Sequence, residues 1–144
     1  MDEVHLVVGV AVLALNFAAG LIGGIAWFRD SPSVNFWYLL RAAQVAVLIQ
    51  VMLGGILVFT GREATDDLHY LYGLLPLPIS FLAEGARGGA ARQELGDIDF
   101  ESLPEDRQHL LALAIVRRET GIMAMSCIVI FFLALRAAEV SPVL

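Results

Sequence analysis

The sequence predicts an all-α fold: an integral membrane four-helix bundle, up-down-up-down, with a long fourth helix projecting into the cytoplasm. Three observations carry that prediction. Of the 144 residues, 58% are hydrophobic and only 17% charged, against roughly 45–50% and about 25% in a soluble domain. The apolar excess is gathered into four long runs, as membrane-crossing helices require. The acidic residues fall mostly in the connections between those runs, and the mean hydropathy is +0.75. One transmembrane domain over residues 1–144 accounts for the chain.

The first span covers about residues 4–28. It closes on Trp27, Phe28, Arg29 and Asp30, an aromatic and charged belt suited to the membrane–water interface. A cleavable signal would open on a basic segment. Met1, Asp2 and Glu3 stand there instead, so the run is expected to persist as a helix. Ser31-Pro32-Ser33 makes the turn. The second span covers about 34–60, and Phe36, Trp37 and Tyr38 give its start a matching belt.

A polar turn over residues 61–67 leads to the third span, about 68–84, which Pro76 and Pro78 should kink. A cytoplasmic connection is expected over 85–118, irregular to about Ser102. There Ser102 and Glu105 read as a capping box, with Pro104 near the helix start. From Pro104 to Arg136 only Gly121 interrupts a helical pattern. Such a helix is about 50 Å long, against a hydrocarbon core of about 30 Å. Its early turns should therefore project, leaving about 119–138 to cross. The projecting stretch 110–116 is apolar enough to pack on an extension of the third helix or on a partner.

Arginine sets the orientation. With four spans, Arg62 and Arg136 share the side of the termini. Arg29, Arg41, Arg87, Arg92, Arg107, Arg117 and Arg118 share the other. Positive-inside makes the second side cytoplasmic, which places the protein in the plasma membrane with both termini outside.

Several function classes drop out. The single cysteine, Cys127, gives neither an intramolecular disulfide nor a thiol-redox pair. It reads as a small packing residue. No basic stripe offers a phosphate-backbone contact, so no nucleic-acid partner is expected. There is no H-E-x-x-H, phosphate-binding glycine loop or serine–histidine–acid grouping. Asn16 and Gln50 are too few polar groups for a transport path.

Two histidines remain. His5 opens the first run and His69 the third, so both lie at one depth near the outer face. An ionisable or metal-binding side chain at such a depth marks a candidate functional site. Two matched histidines on non-adjacent helices are what a b-type haem needs for its axial ligands. The alternative for each alone is an interfacial ring at headgroup level. Gly54 and Gly55 bare the outer half of the second helix, as a flat macrocycle lying against it would require. Packing through small residues is the competing explanation, and it is preferred for the Gly20/Gly24 pair.

The stretch Gln50-Val-Met-Leu-Gly-Gly-Ile-Leu-Val-Phe-Thr-Gly61, followed by His69, resembles the heme A synthase family. There, each four-helix half carries a Q-x-x-L-G-G-x-x-x-x-T-G-like stretch shortly before a haem-ligand histidine. The partner ligand lies two helices earlier, at an interval similar to the 69 − 5 = 64 residues here. The likeness covers about residues 4–80. It implies that His5 and His69 are the axial pair of one haem b. It does not imply haem hydroxylation. The family fuses two halves and sets a glutamate one turn before a ligand, where this chain has Asp2. The basic residue that often follows the ligand is Leu6.

Arg62 and Arg136, the outer-side cations, are candidates to pair with haem propionates. Arg41, about two turns into the second helix, needs a partner, and Glu119 enters from the same side. Asn16, Gln44 and Gln50 are expected to hydrogen-bond between helices, with no ligand role. His109 reads as a surface residue. The expected function is a cytochrome b-like role in electron transfer or haem handling. A homodimer or a larger respiratory or redox membrane complex would complete it, with a quinol or a periplasmic electron carrier as redox partner. The other reading is a non-haem accessory subunit.

Overall fold

A computed structural model describes residues 2–140, without the side chain of Asp2. Those residues form helices joined by short turns, with no strand among them. Helix α1 is Asp2–Phe28 and α2 is Val34–Phe59. The third expected span is divided into α3, Leu68–Leu74, and α4, Pro76–Leu95. A 3-10 turn over Phe100–Ser102 precedes α5, Glu105–Val140. Among the described residues, α1 from Glu3, α2 and α5 are the helices long and apolar enough to cross a membrane.

Each boundary has a local cause. Ser33 caps α2, its hydroxyl accepting from the Phe36 amide at 3.3 Å. At the other end Gly61 takes a positive φ of 80°. The Gly61 amide donates to the Val58 carbonyl and the Arg62 amide to the Leu57 carbonyl, both at 3.0 Å. That pattern is a Schellman stop. Helix α1 ends the same way on a non-glycine: Asp30 has φ 50°, and the Ser31 amide donates to the Ala26 carbonyl at 3.0 Å.

Two expectations are corrected here. Ser102 does not cap α5, because its hydroxyl donates to the Asp99 carbonyl at 2.7 Å. The stretch 85–95, expected to be irregular, is helical. Its glycines meet no obstacle, and the alanine, arginine, glutamine and glutamate around them are strong helix formers. Packing completes the case. Ala83 and Ala90 are buried, and Arg118 on α5 reaches Glu94 at 2.8 Å.

Helix α1 packs on α2 and α5, and α5 also packs on α3 and α4, whereas α2 and α4 touch sparingly. One core cluster joins Ala19, Phe36, Leu40, Ala83, Met123, Ala124 and Cys127. A second, of Val12, Ala46, Val47 and Ile130, lies nearer the histidines. The tight glycines are not the expected pair. A Cβ on Gly23 would fall 2.4 Å from Phe36 and 2.9 Å from Ala124, and one on Gly20 would fall 2.5 Å from Ile128. Gly24 faces open space.

Ion pairs tie the end away from the histidines. Arg41 meets Glu84 rather than the expected Glu119, and Gln44 donates to the same carboxylate at 2.8 Å. Arg87 takes the other Glu84 oxygen at 2.9 Å and reaches Glu119 at 3.7 Å. Arg117 pairs with Asp30 and lies over the Trp27 ring.

Candidate functional site

His5 stands in the first turn of α1 and His69 in the first turn of α3. The loop before α3 folds on two side chains. Asp66 accepts from the Leu68 amide at 2.8 Å, and the Tyr70 hydroxyl accepts from the Ala64 amide at 2.8 Å. These bonds start α3 so that its second residue, His69, turns toward α1 and α5. The two imidazole centroids lie 6.2 Å apart, with ring planes inclined by 54°.

Each imidazole has its own anchor. A carbonyl oxygen only accepts, so His69 Nδ1–H donates to the Ala137 carbonyl of α5, at 2.9 Å. That fixes the neutral tautomer and leaves Nε2 with its lone pair. His5 Nε2 lies 3.2 Å from the amide nitrogen of Gln50 on α2. An amide N–H only donates, so here His5 Nε2 is the acceptor. His5 Nδ1 and Gln50 Oε1 are buried and make no hydrogen bond.

Glycine shapes the surroundings. A Cβ on Gly9 would lie 3.0 Å from the Gln50 amide nitrogen, so the bare backbone of α1 admits that side chain. A Cβ on Gly54 would meet only His5 Cε1, at 3.4 Å, and one on Gly55 would meet nothing within 4 Å. The C-terminal half of α2 thus presents an open glycine face beside His5. Two hollows, about 410 and 250 Å³, lie toward the other end, around Arg117 and Arg41.

Arg62 and Arg136 are placed differently from one another. Arg136 is exposed, donates to Glu139 at 3.0 Å and bonds the Tyr72 side chain. Arg62 is exposed and follows the α2 stop. The structure therefore brings His5, His69 and Gly54 together and leaves Gly55 open beside them. Arg136 is engaged by Glu139 on its own helix and by Tyr72 on α3. His109 is exposed. Asn16 bonds within α1, to the Val12 carbonyl at 2.8 Å, and not between helices. Gln50, Ala137 and Tyr72 join the neighbourhood without having been singled out for it. For Gln50 the signal was present in the sequence: it precedes Gly54 by four residues, so both share a helix face.

The donor set suits a metal that brings its other ligands with it. Metal–imidazole bonds are about 2.0–2.1 Å long, and two ring centroids 6.2 Å apart are near enough for one ion to reach both rings. Haem asks the protein for two axial nitrogens only. His69 already offers one, and the open glycine face adjoins the other. No family model, curated protein or solved structure matches the chain.

Proposed function

We propose that this protein is a membrane cytochrome b-like bundle that holds one haem b between His5 and His69, near the outer face, for electron transfer or haem handling. The observation that carries the reading is the pairing of the two imidazoles at 6.2 Å from different helices. Bound there, haem would supply a one-electron couple.

The chain's own residues have distinct parts. His69, held by the Ala137 carbonyl, presents a fixed neutral Nε2. His5 supplies the opposing ring. Gly54 and Gly55 keep the adjacent face of α2 free of side chains. Arg62 and Arg136 are cations near that end that would pair with propionates by exchanging their present partners, Glu139 in the case of Arg136.

The topology belonging to this reading is up-down-up-down, with α3 and α4 together as the third crossing and both termini outside. It is supported by the contacts of His5 with Gln50, Gly23 with Phe36 and Trp27 with Gly121. Seven arginines on one side against two on the other make the ion-paired end cytoplasmic. A single site near one surface calls for a partner: a second copy, a larger redox complex, a quinol or a periplasmic carrier.

A reduced-minus-oxidised visible spectrum of the detergent-purified protein tests the reading, beside His5→Ala and His69→Ala. Sharp b-type bands in the wild type, lost or altered in both variants, are expected. A protein that stays colourless after haem is supplied would overturn it. The second reading, an accessory subunit, would then stand. It is favoured by the apolar Ile98, Leu110 and Leu113, exposed on the α4–α5 projection at 51%, 61% and 36%.

A further inference from the structure

The two imidazoles are prepared unequally. His69 has the arrangement usual for a metal-binding histidine, its second nitrogen donating to a carbonyl. His5 has no such acceptor on Nδ1. Among the described residues, the polar side chain bonded to it is Gln50, which occupies Nε2 through its amide nitrogen.

That contact determines where the proton of a neutral His5 ring resides. With Nε2 accepting, the proton sits on Nδ1. Two polar atoms are then left over on the two side chains: Nδ1–H of His5, a donor, and Oε1 of Gln50, an acceptor. Both are buried, and neither has a partner among the described residues. A buried donor and a buried acceptor left unpaired carry the desolvation cost of each. Gly9 and Gly54 flank the two side chains: a Cβ on Gly9 would lie 3.0 Å from the amide nitrogen, and one on Gly54 3.4 Å from His5 Cε1.

We propose that Gln50 is the positioning residue for His5, acting in two ways. In the unloaded protein its amide N–H holds Nε2 free of a proton, the form an iron ligand requires. Once Nε2 is taken by a metal, the same side chain accepts Nδ1–H through Oε1, satisfying both leftover atoms. Gln50 then does for His5 what the Ala137 carbonyl does for His69. This inference rests on the haem reading for its second half only.

The first half is tested without haem. Nitrogen NMR of histidine-labelled protein in detergent reports which ring nitrogen of His5 bears the proton. The wild type is expected to show Nδ1–H. Gln50→Leu, with nothing to donate, should mix the two tautomers. Gln50→Glu, whose carboxylate only accepts, should move the proton to Nε2. A shape-only role for residue 50 predicts no such reversal. Gln50→Asn, one methylene shorter, replaces the leucine variant if that one fails to fold, and should mix the tautomers likewise.

The second half is read by haem titration and by the midpoint potential. Gln50→Leu should weaken haem retention by about tenfold or more, the usual scale for losing a partner of a metal-bound histidine. It should also raise the potential, because the ring becomes a poorer donor to ferric iron. Nε2–H in the wild type, or one tautomer common to all the variants, overturns the proposal. A wild type with the expected tautomer that takes up no haem overturns its second half together with the haem reading, and supports Gln50 as the residue that orients His5.

Discussion

His69 Nδ1–H donates to the Ala137 carbonyl across 2.9 Å, which ties the seven-residue α3 to the last turn of α5. A helix of two turns has little stability of its own, so this bond does structural as well as chemical duty. His69→Ala should lower the thermal midpoint in detergent more than His5→Ala, by the equivalent of about 0.5–1.5 kcal/mol for one net hydrogen bond. Circular dichroism melts of the two variants check the order, and the reverse order would contradict the anchoring role.

The glycine face makes a separate prediction. Gly54→Ala puts a methyl 3.4 Å from His5 Cε1, an ordinary contact. It should leave the haem-free bundle intact, or firmer by up to about 1 kcal/mol, since alanine favours helix. Gly54→Leu and Gly55→Leu should also fold, yet abolish the b-type spectrum. Retention of full haem binding in both leucine variants would remove α2 from the macrocycle's surroundings.

Close packing at the centre of the bundle distinguishes neighbouring glycines. Gly23→Ala drives a methyl against Phe36 and Ala124, and overpacking of that kind costs about 1–3 kcal/mol. Gly24→Ala meets open space and should be neutral or mildly stabilising. Unfolding in a graded denaturing detergent compares the two. Equal midpoints would contradict the contact of α1 with Phe36 and α5.

Ion pairs should differ as sharply. Glu84 serves Arg41, Gln44 and Arg87 from a carboxylate side chain 27% exposed. Glu84→Ala strands three donors and should cost about 1.5–3 kcal/mol, the range for hydrogen bonds to charged groups. Glu139→Ala removes one exposed partner three residues from Arg136 and should not move the melt measurably. Matched melts in low and high salt test this, with only the Glu84 effect expected to survive salt.

The helices were legible where physics is local. The bounds of α1 and α2 follow from apolar length, the Ser33 cap and the Gly61 stop, and α5 from its uninterrupted run. The helix over 85–95 was not legible. Its glycines and charges read as a polar connection, and the burial of Ala83 and Ala90 and the reach of Arg118 complete what its helix-forming residues begin. Likewise Arg41 chooses Glu84 because α4 stands beside α2 at that level, a fact of tertiary geometry. At the site, the matched depth of His5 and His69 could be read from span order. That Gln50 would hydrogen-bond between helices could be read as well; that its partner is His5 could not, since this requires the rotation of α1 that brings Gly9 against α2. Thr60-Gly61 belongs to the resembled stretch but serves here to end a helix.

The sparse contact between α2 and α4 has one more consequence. Glycine packing and ion pairs fasten the end away from the histidines, whereas the histidine end holds unpaired polar atoms, bare glycines and a two-turn helix on one cross-strut. Resistance to opening is therefore graded along the bundle axis, and local fluctuations concentrate at the C-terminal end of α2 and at α3. Amide protons near Gly54 and Leu71 should exchange long before those near Phe36 and Met123. A flat, greasy guest would then arrive sideways out of the lipid, through a wall that parts there without the rest of the bundle coming undone.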